Sequence, residues 1–264
     1  MRKKIINKDL KAVDLRGFKK KLNEGFYDSF PKKVIDTIKN LPDEMIFCSK
    51  LEGAINMEIT DVIEPTNFKS KLEEKIYRIL QDVEKQLGTE FVRGREFQVD
   101  WQCPAYDYDY KIKKIIYDKL SDDEQNIKYG EIVSIIMGFI MKYQLRLPVG
   151  IFCSETYLLL PYLYEFNIRG FITDESSPVN AFVNGRHDRF EVHPTYVRGH
   201  LKKGLLDLTK LPDYIYTEPG NVGRCCGKDS PYVKIDGYDY ITIVCTDNNR
   251  MIEFWDYLLK EIKK

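Results

Sequence analysis

Phe190-Glu191-Val192-His193-Pro194-Thr195-Tyr196-Val197-Arg198-Gly199-His200-Leu201 is the stretch on which the fold turns. Its first four residues read as a short buried strand ending in His193, and Pro194 turns the chain away. The residues that follow, about Tyr196 to Leu206, read as a helix. Strand, turn and helix in that order form one unit of an α/β fold.

Three other apolar runs have the same shape. Phe97-Gln98-Val99 precedes Asp100, Val149-Gly150-Ile151-Phe152-Cys153 precedes Ser154-Glu155, and Gly170-Phe171-Ile172-Thr173 precedes Asp174-Glu175. Each sets an acid or a histidine at, or just past, the carboxyl end of a strand. Parallel barrels and open α/β sheets gather their chemistry at those ends. The expected fold is therefore α/β with a mostly parallel sheet, a distorted or incomplete (β/α) barrel. An N-terminal helical element at 1–44 precedes a single α/β domain at 45–264.

The helical signals flank this pattern. Phe68, Leu72, Ile76, Ile79, Leu80, Val83 and Leu87 keep the i, i+3, i+4 spacing of one buried stripe, and Gly88 supplies a stop. A helix over Thr156–Phe166 is punctuated by Pro161, which kinks or restarts it. Further helices are expected over about Tyr110–Leu120 and 131–143. Strands are expected at Met45–Ser49, Tyr214–Thr217 and Tyr240–Thr246. The closing helix buries Met251, Phe254, Trp255, Leu258, Leu259 and Ile262. Glu218 to Gly227 is a glycine-rich loop with the character of a lid, and Arg224 within it is a candidate for substrate binding.

Composition narrows the class. The chain has 264 residues, 43% of them hydrophobic and 31% charged, which places it among globular proteins with a substantial core. Lys+Arg and Asp+Glu number 41 each, so no net field favours nucleic acid or anionic lipid. No secretory signal and no membrane-spanning run is visible, and a cytoplasmic location is expected. The six cysteines lack metal-ligand spacing and read as reduced thiols.

With three histidines in the chain, the search for chemistry is short. Asp100, His193 and one more histidine, such as His187, would make a mixed metal site able to activate water, with zinc as the first candidate ion. Asp174 and Glu155 would serve as general bases. Both also suit helix starts, where acids are favoured without any catalytic role. Trp101 and Tyr106, beside interleaved aspartates, form a platform for a sugar or a base.

Three fragments together resemble the polysaccharide-deacetylase superfamily. They are Phe97-Gln98-Val99-Asp100-Trp101, the passage from Lys142 to Phe152, and Glu191-Val192-His193-Pro194-Thr195-Tyr196-Val197. The resemblance implies a distorted (β/α) barrel and an Asp/His/His metal site with Asp100 and His193 among its ligands. Val99 stands where that family has the first of two paired aspartates. The expected function is a hydrolase of a carbohydrate or similar polar substrate, metal-dependent and deacetylase-like. Two alternatives are a non-catalytic binding protein and a nucleotide- or sugar-transfer enzyme with loop 219–227 as its lid. The expected partner is a small molecule or glycan, not nucleic acid or a membrane.

Overall fold

The computed structural model describes residues 13–30, 32–45, 67–87, 119–120, 135, 138, 158–177, 180–184, 189–219 and 236–262. In chain order the elements are β1 (Val13–Asp14), α1 (Arg16–Asn23), α2 (Lys32–Asn40), β2 (Glu44–Met45), α3 (Lys71–Leu87) and α4 (Leu160–Arg169). There follow β3 (Phe171–Ser177), β4 (Asn180–Asn184), β5 (Arg189–His193), β6 (Tyr196–Lys202), β7 (Ile215–Pro219), β8 (Tyr238–Cys245) and α5 (Met251–Glu261).

The expected parallel barrel is not what these residues form. The main sheet has four strands in the order β3-β6-β8-β7, is open, and is antiparallel at every pairing. The difference starts at Tyr196–Lys202, which is a strand and not a helix. Val197, Gly199 and Leu201 alternate there with Tyr196, Arg198, His200 and Lys202, the period of two that a sheet sorts onto its two faces. The described connection from β3 to β6 runs through β4 and β5, a hairpin excursion rather than a helical crossover.

That excursion is continuous in register. Ser177 faces Tyr196 in the main sheet, and Asn180 faces His193 in the two-stranded sheet of β4 and β5, three residues further along each strand. β4 and β5 therefore prolong the β3–β6 hairpin past the main sheet. Pro194 stands in the break between β5 and β6, and proline has no N–H to give a ladder.

Nearer the sheet, the register shifts between Thr173 and Glu175, leaving Asp174 as the extra residue of a β-bulge. Gly199 lies opposite. A Cβ there would stand 2.1 Å from the carbonyl oxygen of Ile172 and 2.8 Å from Cα of Thr173. The missing side chain lets the bulged strand come close.

One face of the sheet carries the helices. Phe171 of β3 stacks on Phe166 of α4 at 5.9 Å between ring centroids. Asn167 of α4 donates from Nδ2 to Thr173 Oγ1 (2.8 Å) and accepts from Thr173 N through Oδ1 (3.1 Å), latching helix to strand. Pro161 sits in the first turn of α4, so it starts the helix rather than kinking it. Gly170, at φ +103°, ends it and feeds directly into β3. Arg169 reaches across to the end of α5, donating to the carbonyls of Leu259 and Ile262. Those groups would otherwise lack intrahelical partners.

Trp255 of α5 is the centre of the core, with no exposed surface. Its ring lies against Phe166, Tyr162 and Phe254 at 6.0, 5.7 and 5.3 Å. Its indole Nε1–H donates to Thr195 Oγ1 at 3.0 Å, and the Thr195 carbonyl accepts from Cys245 N at 3.0 Å. Buried Met251, Phe254, Trp255, Leu258 and Ile262 match the stripe expected for this helix.

The N-terminal helices join the same core. β1 pairs with β2, and Lys19 Nζ donates to Leu41 O and Asp43 Oδ1, closing the α1–α2 hairpin. Gly17 lets α1 sit close to α5, since a Cβ there would meet Ile252 Cγ1 at 2.5 Å. Lys21 Nζ pairs with Asp256 Oδ1 at 2.7 Å, and Tyr162 OH donates to the same oxygen at 2.9 Å. Tyr27 OH donates to the carbonyl of Leu158 at 2.8 Å. In α3, Ser70 Oγ accepts from Glu73 N at 3.1 Å while the Glu73 carboxylate accepts from Lys69 N, a capping-box arrangement. Leu72, Ile76 and Ile79 are buried as their spacing requires. The expected strands at 97–99 and 149–153 and the expected helix over 131–143 lie outside the described residues, apart from positions 135 and 138. Among the described residues, no helix is long and apolar enough to cross a membrane.

Gly199→Ala is expected to destabilise the fold by about 2 kcal/mol or more, because backbone must move to admit the methyl group. Gly237→Ala, at φ +82° with open space around it, should cost only about 1 kcal/mol; equal losses in denaturant unfolding would contradict the bulge geometry. Burial, reinforced by the Asp256 charge, raises the Tyr27 and Tyr162 phenols above the ordinary value of 10.0. The stabilisation from keeping them neutral is therefore present below that value and lost as pH climbs toward the raised one. A phenolate absorbance titration of the native protein should show both resisting ionisation until the fold gives way. Reversible ionisation of every tyrosine near the ordinary value, with the fold intact, would contradict it.

Candidate functional site

Facing residues in a sheet share a face, so the register sorts every strand residue. Phe171 and Thr173 point toward α4, and Gly199, Leu201, Ile241 and Ile243 lie on their side. The opposite face collects Tyr196, Arg198 and His200 from β6, Tyr240, Thr242 and Val244 from β8, and Tyr216 and Glu218 from β7. Glu175 faces Arg198 from β3.

These residues form rows across the sheet. Tyr196 and Tyr216 flank Val244; Glu175, Arg198, Thr242 and Glu218 make the next row; His200 faces Tyr240 in the third. Arg198 Nε donates to Thr242 Oγ1 at 2.9 Å, and the guanidinium lies 5.8 Å from the Tyr196 ring centroid. The His200 and Tyr240 rings approach to 4.7 Å. Thr242 and His200 are buried, Tyr196, Arg198 and Tyr240 are half-buried, and Tyr216 is 45% exposed. The result is a cationic fork fixed by a buried hydroxyl, between tyrosine rings that offer both an apolar face and a hydroxyl.

The residues singled out from sequence fall differently. Asp100, Trp101, Tyr106, Glu155, His187 and Arg224 lie outside the described residues. Asp174 does not follow the end of a strand but sits inside β3, at the bulge. His193 is the last residue of β5, opposite Asn180. Six residues of hairpin separate their levels, on the order of 20 Å at the usual rise per residue. Antiparallel strands send their carboxyl ends to opposite edges, so the common strand-end position does not gather these residues onto one rim. Among the described residues, no group of three or more His, Cys, Asp or Glu is placed to hold a metal ion. Of the three expected zinc ligands only His193 is among the described residues.

Cys245, at the end of β8, is buried, and its thiol donates to the carbonyl of Asp247 at 3.2 Å. Burial pushes its pKa up, so the thiol is held in its unreactive form. It serves as a small hydrophobe, as its strand-end position suggests.

The tyrosine–arginine face carried a sequence signal of its own. Tyr196-x-Arg198-x-His200 and Tyr238-x-Tyr240-x-Thr242 both repeat polar or aromatic residues at every second position, the pattern of a strand with one functional face. No family model matches this chain, and neither the curated proteins nor the solved structures contain a match to it.

The Arg198–Thr242 contact has a measurable consequence. Thr242→Val keeps the side-chain shape and removes the acceptor, and is expected to cost about 1 kcal/mol in unfolding stability through the lost hydrogen bond. Arg198→Met with Thr242→Val should recover part of that loss in a double-mutant cycle; strict additivity would show that the two groups do not interact.

Proposed function

We propose that the chain binds a carbohydrate on the sheet face opposite α4 and α5. The single observation behind this reading is the ladder Tyr196, Arg198, Tyr240 and Tyr216, half-buried or exposed, around the fixed Arg198–Thr242 pair. Tyrosine rings cover the apolar faces of a sugar, and their hydroxyls with the guanidinium supply the few placed polar groups that orient a ligand. A carbohydrate ligand is also the part of the deacetylase resemblance that does not depend on a barrel.

A glycan array followed by calorimetry tests the binding reading. The wild-type protein should retain specific oligosaccharides, and Tyr216→Ala, at an exposed site, should weaken them about ten-fold while leaving the fold intact. Failure to bind any glycan, or retention of homopolymeric RNA with a steep salt dependence, would overturn it.

A further inference from the structure

We draw no further inference here: the strongest candidate, the surface patch at the β7 edge of the sheet formed by exposed Tyr216 and Glu218, belongs to the site already described.

Discussion

The Trp255 indole and Thr195 fix the relation between helices and sheet. Thr195 uses its hydroxyl to accept from Trp255 and its carbonyl to accept from Cys245, so one residue joins α5 to β6 and β6 to β8. A buried indole N–H without a partner costs far more than a good one contributes, which makes the register of β6 sensitive to this contact. Around it, rings pass from the N-terminal helices to the sheet: Tyr27, Phe26, Tyr162, Trp255, Phe166 and Phe171, each within 6.0 Å of the next. Much of what lies on the helical side of the sheet is organised by that column.

What lies on the other side follows from it. Once Phe171 and Thr173 are committed to α4, the period of two leaves the tyrosines of β6, β7 and β8 on the opposite face with Arg198. Gly199 and the Asp174 bulge adjust that commitment locally. Beyond the bulge the pairing resumes with Glu175 opposite Arg198.

Several elements are legible in the sequence because one force dominates each. The α5 stripe and the α3 stripe of Leu72, Ile76 and Ile79 read from spacing alone, and Pro161 marks the break at which α4 restarts. β6 is not legible in the same way. Val197, Leu201 and Leu205 have helical spacing, while Val197, Gly199 and Leu201 have strand spacing, and local sequence does not choose between them. The expectation of a parallel sheet tips the reading toward a helix, and that expectation rests on acids at apparent strand ends. Asp174 shows why the inference fails: its run does not stop at Thr173 but continues to Ser177 through the bulge. Pro194 misleads for a related reason, since it interrupts a hairpin ladder as readily as it precedes a helix.

The most direct test of this architecture is a nuclear Overhauser measurement over Tyr196–Lys202 and Tyr238–Cys245. An antiparallel β6–β8 pair brings the α-protons of alternate facing residues close together, so cross-strand contacts should appear at alternate pairs along the register from Tyr196–Val244 to Lys202–Tyr238. Successive amide–amide contacts through Tyr196–Leu206, with none reaching β8, would mean a helix in that segment. The antiparallel sheet, its tyrosine face and the proposed ligand site would all be lost with it.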